Sequence, residues 1–170
     1  MNHGFRLLGS VLIILFIGIT SVLGASQFKP NKKHIRGKLK SGRAFTLIVQ
    51  IKKYPGTQKD DGSWWGTDGG IPDTVISYMA FWVGKQPAML PFKTYTDICN
   101  VNEASVSVRE TKQGIQISMS GGDAAGSFTA QYLIRHQKQG YRLWQRIVQS
   151  GENPDEIWEK TEYHNEAWDW

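Results

Sequence analysis

The sequence predicts an all-β protein, an antiparallel β-sandwich or barrel of about eight strands that follows an N-terminal signal peptide. Three observations support this fold class. Apolar and polar residues alternate with a period of two in several segments, most clearly at Phe45, Leu47, Val49 and Ile51. Glycine-containing turns such as residues 111–114 separate these segments. Finally, no amphipathic run with a helical period has good start and stop signals.

Turn residues bound each strand candidate. The first candidate stops at Tyr54 and Pro55, and a long polar loop then runs to Pro72. Pro91 lacks a backbone N–H, so it predicts an edge position for the third candidate. Residues 104–119 form the clearest hairpin, because two alternating segments flank a glycine turn. The candidates are residues 44–53, 74–83, 88–93, 104–109, 115–119, 128–134, 141–149 and 157–163.

Strict alternation places a mixed basic and aromatic row on one face of the strand at 141–149. The row holds Arg142, Trp144, Arg146 and Val148. Such a row is typical of single-strand nucleic-acid platforms, but it also suits a cross-strand ladder with residues 158–162, in which opposite charges pair. An exported protein seldom meets nucleic acid, so we favour the ladder and expect no nucleic-acid partner.

The first 25 residues have the order of a secretory signal peptide. Arg6 precedes an uncharged segment, residues 7–25, which ends in the small residues Val22 and Gly24. We therefore expect an exported protein, periplasmic or secreted. The alternative is a membrane anchor formed by residues 7–25, which are just long enough to span a bilayer. The predicted organisation is a signal peptide or anchor at 1–25, a basic linker at 26–43 and one all-β domain at 44–170.

The net charge of +5 hides a strong segregation of charge. Residues 1–59 contain eleven Lys or Arg and no acid, whereas the remainder has nine bases and fifteen acids. The basic arm at 29–43 is therefore a candidate contact for anionic surfaces. The simpler interpretations are a solvated linker or an arm folded back on the acidic C-terminus.

Sequence motifs identify no catalytic residue, no metal site and no cofactor. Cys99 is the sole cysteine, so no internal disulfide is possible, and its apolar surroundings favour a buried thiol. The four histidines have none of the spacings that bind metals, and no nucleophile elbow is present. The sequence does not decide whether the protein is an enzyme, but the lack of catalytic motifs favours a non-enzymatic role.

A loop rich in Trp, Asp and Gly is the best candidate binding surface. Paired tryptophans stand among carboxylates and glycines, and a partner or a sugar face would stack on exposed indoles. The alternative is that the tryptophans plug the end of the barrel. The candidate binding residues are Asp60, Asp61, Trp64, Trp65, Asp68 and Asp73.

Three segments, WGTDGGIP at 65–72, GGDAA at 121–125 and SGENPDEIWE at 150–159, resemble those of small exported bacterial β-rich proteins of unknown function. This resemblance spans most of the mature chain. It implies a folded exported domain but no activity, cofactor or catalytic residue.

The sequence therefore predicts an exported, non-enzymatic binding protein of the cell envelope that uses the Trp/Asp/Gly loop. An envelope glycan or protein is the expected partner. Two alternatives remain open, a β-barrel that binds a small apolar ligand among its aromatic residues, and an enzyme whose mechanism no motif reveals.

Overall fold

A computed structural model describes residues 31–59, 63–122, 126–151 and 158–164. The all-β prediction is confirmed, because strands dominate this part of the chain. The predicted signal peptide at 1–25 lies outside the described residues. Within the described ranges, no helix is long and apolar enough to cross a membrane. The strands are β1 Asn31–Lys38, β2 Ala44–Lys53, β3 Thr74–Val83, β4 Gln86–Met89, β5 Ser107–Thr111, β6 Gly114–Gly121, β7 Phe128–Gln137, β8 Gly140–Ser150 and β9 Trp158–Tyr163.

The strands form one sheet that curls into a nearly closed barrel. The order around the sheet is β1-β2-β3-β4-β8-β7-β6-β5, and β9 pairs with β8. Antiparallel hairpins join β1 to β2, β3 to β4, β5 to β6 and β7 to β8, so their turns lie at one end. The longer connections meet at the opposite end, which we call the loop end.

Side chains bridge the gap between the two outer strands of the sheet, β1 and β5. Glu110 of β5 accepts hydrogen bonds from the Ser41 backbone N–H at 2.7 Å and from the Arg43 guanidinium at 3.0 Å. Nearer the loop end, the Lys33 ammonium donates to the backbone carbonyl of Glu103. These contacts tie the turn after β1 to β5, and β1 itself to the 3₁₀ turn that precedes β5.

The interpretation of residues 26–43 as a linker is wrong for residues 31–38, which form β1. All eight residues of this strand pair with β2. The alternating pattern does not reveal this strand, because Ile35 is its single large apolar side chain facing the core. Its outer face is fully solvated and therefore accommodates charged residues. The β-sheet therefore includes residues from Asn31 onward, which the predicted boundary at residue 44 left out.

The predicted strand at 88–93 is also corrected. β4 ends at Met89, and a 3₁₀ turn at Phe92–Thr94 follows Pro91. β4 pairs with β3 on one side and runs parallel to the start of β8 on the other. β4 is thus an internal strand of the sheet. Pro91 lies just beyond its end and does not mark an edge strand.

One cluster of buried apolar side chains fills the described interior of the barrel. It draws on the inward positions of β2, β3, β6, β7 and β8 and includes Leu47, Phe81, Ile117 and Tyr132. The predicted alternation in β2 is observed, since Phe45, Leu47, Val49 and Ile51 are all buried. The predicted hairpin at 104–119 is confirmed as β5 and β6, but its first strand begins at Ser107, because residues 103–105 form a 3₁₀ turn.

A β-bulge interrupts the alternation of β8. Leu143 pairs with Ile134, whereas Gln145 pairs with the adjacent Leu133, so β8 contains one extra residue at Trp144. Tyr141 and Leu143 point inward before the bulge, and Arg146 and Val148 point inward after it. The prediction that Arg142 and Arg146 share one face is therefore wrong.

Candidate functional site

The predicted Trp/Asp/Gly loop lies at the loop end, against the connection between β4 and β5. The backbone N–H of Trp65 donates to the Asp97 carbonyl at 2.8 Å, and Cys99 N–H donates to the Trp65 carbonyl at 2.9 Å. Trp65 is partly buried and packs against the core cluster. It therefore anchors the loop.

Gly66 is required at this anchor. Its φ is +112°, and a Cβ there would lie 2.3 Å from the Cys99 carbonyl oxygen. The side-chain amide of Asn100 donates to the Gly66 carbonyl at 2.9 Å. Asn100 Oδ1 also accepts hydrogen bonds from the backbone of Asp73 and Thr74. Asn100 thus ties the middle of the loop and its C-terminal end to one point, and no sequence motif had marked it.

Trp64, the residue before this anchor, contacts a different part of the protein. Its indole remains partly exposed and makes an edge-to-face contact with Tyr54, with ring centroids 5.5 Å apart. Asp68 and Asp73 are exposed on the same loop, and Ile71 is 48% exposed. Asp60 and Asp61 lie outside the described residues. Both tryptophans are thus half-buried, but Trp65 packs against the core cluster whereas Trp64 contacts Tyr54.

A fully buried arginine forms the second unusual feature of the barrel. The Arg146 side chain is 1% exposed, and its guanidinium donates to Asp97 at 2.6 Å and to Glu162 at 2.7 Å. Its Cα partners are Tyr132 on β7 and Glu162 on β9. The predicted pairing of opposite charges between this strand and residues 158–162 is confirmed for Arg146 and Glu162, whereas Arg142 lies on the other face of β8.

Protonation states in this cluster follow from the pairing. Burial disfavours the Arg146 charge, but Tyr132 and Asp97 together with the Glu162 hydrogen bond outweigh burial and raise the pKa of Arg146. Burial raises the pKa of Tyr132 above its ordinary value, so its hydroxyl stays protonated. Burial also opposes ionisation of Glu162, yet hydrogen bonds from Arg146 and Lys160 lower its pKa. Arg146 and Glu162 are therefore both charged at neutral pH.

A cavity of about 340 Å³ lies beside this cluster. Asp97, Glu162 and the buried His164 line it with Lys93 and Lys160. Among the described residues, no group of three or more His, Cys, Asp or Glu has the placement to hold a metal ion. A carboxylate held ionised by a guanidinium is a poor proton donor at neutral pH. With both carboxylates engaged by Arg146, the arrangement has the features of a structural ion-pair cluster.

Basic side chains line the exposed face of β1. Lys32, His34, Arg36 and Lys38 alternate along the strand and are all exposed. The register places Tyr78 and Trp82 of β3 on the same face, two strands away, and the Lys32 ammonium lies 6.0 Å from the Tyr78 ring centre. β1, β2 and β3 contain no acidic residue. We call this surface the basic face.

Cys99 is completely buried, as predicted from its surroundings. Its thiol donates to the Trp65 carbonyl at 3.2 Å, so it supports the loop anchor. A thiol in this position is inaccessible to a substrate.

Comparisons with protein families, characterised proteins and solved structures found no significant match to this chain.

Proposed function

We propose that this chain is a non-enzymatic binding domain of the cell envelope, and that it recognises an envelope glycan through Trp64 and Tyr54. The observation that carries the proposal is that the two adjacent tryptophans make different contacts. Trp65 packs against the core cluster, and the neighbouring Trp64, also half-buried, makes an edge-to-face contact with Tyr54 that orders its indole. An aromatic surface that is already ordered binds with a smaller entropic cost.

The chemistry of the loop suits a polyhydroxylated ligand. The aromatic pair offers ring faces and edges for the apolar side of a sugar, and exposed Asp68 and Asp73 accept hydrogen bonds from hydroxyl groups. The filled interior favours such a surface over the alternative of an apolar ligand inside the barrel. The ionic cluster around Arg146 gives the enzyme alternative little support.

Trp64→Ala is expected to reduce binding to purified peptidoglycan sacculi at least tenfold, because interface aromatic residues commonly supply more than 1.4 kcal/mol of binding energy. Co-sedimentation of the full-length protein measures the effect. Phe92→Ala is the matched control, since Phe92 is 66% exposed and also forms an edge-to-face pair, with Tyr95. Equal retention of the two variants, or no retention of the wild type, would contradict the proposal.

The basic face supports a second contact, with the anionic lipid surface of an envelope membrane. Lys and Arg side chains supply attraction to anionic head groups, and Tyr and Trp are suited to the membrane–water interface. The absence of acids from β1, β2 and β3 leaves this attraction unopposed on the face itself. This contact uses a different surface from the glycan loop.

Replacing Lys32, Arg36 and Lys38 together by Gln is expected to reduce the preference for phosphatidylglycerol over phosphatidylcholine vesicles on the order of 100-fold. Vesicle flotation of the full-length protein at several salt concentrations gives the preference. Residues 7–25 are uncharged, so any binding through them should be similar for the two lipids and cancels in the preference. A control variant with Gln at Lys85, Lys93 and Lys138, exposed lysines elsewhere, should keep the preference. A loss shared by both variants would show that only net charge matters.

A further inference from the structure

A groove on the outer face of β5 to β8 has the features of a separate binding site. Its volume is about 380 Å³, within the range of small-molecule sites, ~300–1,000 Å³. Four glutamines line it, Gln113, Gln116, Gln131 and Gln145, and Leu133 and Ile147 also contribute. The groove lies on the hairpin side of the barrel and shares no residue with the glycan loop or the basic face.

Strand register assembles the groove as a continuous row. Arg109 on β5 faces Gln116 on β6, Gln116 faces Leu133 on β7, and Leu133 faces Gln145 on β8. Neighbouring strands lie about 4.8 Å apart, so four aligned residues cover on the order of 15 Å. The bulge in β8 places Gln145 on this outer row and turns Arg146 to the interior.

Hydrogen bonds hold the polar side chains in place. Arg109 Nε donates to Gln116 Oε1 at 2.9 Å, and Gln116 Nε2 donates to Gln131 Oε1 at 2.5 Å. Gln116 is only 8% exposed although it belongs to the outer face of the sheet. This hydrogen-bonded row of one guanidinium and two amides, spread over three strands, presents donors and acceptors in a defined geometry, as a specific polar site requires.

The groove has an unbalanced positive charge. Arg109 and Lys112 line it, and none of the lining residues in the described part of the chain is acidic. The neighbouring carboxylate, Glu110, is engaged by Ser41 and Arg43 at the barrel seam. Among the described residues, no carboxylate forms a salt bridge with Arg109. The guanidinium is therefore available to a carboxylate of a ligand.

We propose that this groove binds a short acidic oligosaccharide, one whose sugar rings bear carboxylates. The amides of Gln116, Gln131 and Gln145 match the donor and acceptor pattern of hydroxyl groups. Leu133 and Ile147 provide an apolar floor for the C–H face of a sugar ring, and Arg109 pairs with the carboxylate. An acidic peptide also offers hydrogen-bonding groups and carboxylates, but it lacks rigid rings to cover the apolar floor.

The test uses the full-length protein and three defined probes in calorimetric titrations, namely tetragalacturonate, neutral maltotetraose and a tetraglutamate peptide. We expect tetragalacturonate to bind at least tenfold more tightly than either of the others. Maltotetraose binding as tightly would overturn the role of charge. Tetraglutamate binding as tightly would assign the groove to acidic peptides instead, and no binding of tetragalacturonate would refute the site.

Two variants and two controls locate the interaction. Arg109→Gln should weaken tetragalacturonate binding at least tenfold and Gln145→Ala about fivefold. Gln149→Ala changes a partly buried glutamine of the same strand outside the groove, and it should alter affinity less than twofold. Trp64→Ala should also leave the affinity for tetragalacturonate unchanged, which distinguishes this site from the glycan loop. Equal effects at Gln145 and Gln149 would overturn the assignment.

Chemical-shift mapping supplies a readout that does not depend on the variants. Tetragalacturonate should shift the side-chain amide resonances of Gln116, Gln131 and Gln145 and leave that of Gln149 in place. Shifts confined to residues outside the groove would refute the proposal even if the probe binds.

Discussion

Replacing Arg146 by Ala is expected to reduce the free energy of unfolding by about 3–5 kcal/mol, the usual cost of removing one partner from a buried ion pair. The variant leaves Asp97 and Glu162 facing each other across an emptied site, with side chains only 25% and 30% exposed. Urea unfolding at neutral pH measures the loss. Arg36→Ala, on the exposed face of β1, should change stability by less than about 0.5 kcal/mol.

A compensated variant tests the cause of the loss. Combining Arg146→Leu with Asp97→Asn and Glu162→Gln removes all three charges. The leucine also fills part of the space that the Ala variant leaves empty. Buried ion pairs are often replaceable by apolar and neutral groups, so this variant should recover much of the lost stability. If it is as unstable as Arg146→Ala, the shape of the guanidinium matters more than charge pairing.

Acid titration adds a directional check on the same cluster. Burial works against ionisation of Glu162, but Arg146 and Lys160 hold its folded pKa below the ordinary value of 4.5. The resulting stabilisation is present above that value and disappears as the pH falls through the lower folded pKa. Arg146→Ala should therefore flatten the fall in stability below about pH 4.5. An unchanged slope would show that Glu162 is not coupled to Arg146.

Trp65→Ala is expected to lower the free energy of unfolding by about 3 kcal/mol, near the lower limit for emptying a buried aromatic site, because Trp65 is only partly buried. Its indole packs against the core, and its backbone joins the loop to Asp97 and Cys99. Thermal unfolding gives the measurement. The loss should appear without any ligand, which distinguishes an anchor from a binding residue.

Trp64→Ala provides the matched control, as the same substitution one position away. It should cost less than about 1 kcal/mol, because, of these two half-buried tryptophans, it is Trp65 that packs against the core cluster, whereas Trp64 contacts Tyr54. Similar losses for the two variants would mean that both tryptophans plug the barrel. Such a result would remove the basis for the proposed glycan loop.

The alternating pattern by itself determined the fold class and much of the strand order along the chain. Phe45, Leu47, Val49 and Ile51 are buried as their spacing predicts, because a strand has one inward side chain every two residues. The hairpin of β5 and β6 followed from the turn around Gly114. The buried thiol of Cys99 followed from its apolar neighbours.

Only the tertiary structure decided which faces and partners these strands have. β1 pairs with β2 although its sequence reads as a charged linker, because backbone hydrogen bonds do not require apolar side chains on the solvated face. The bulge at Trp144 turns Arg146 inward and Gln145 outward, and one extra residue exchanges the two faces of a strand. The contacts of Arg146 with Asp97 and of Trp64 with Tyr54 join distant positions, which local spacing does not encode.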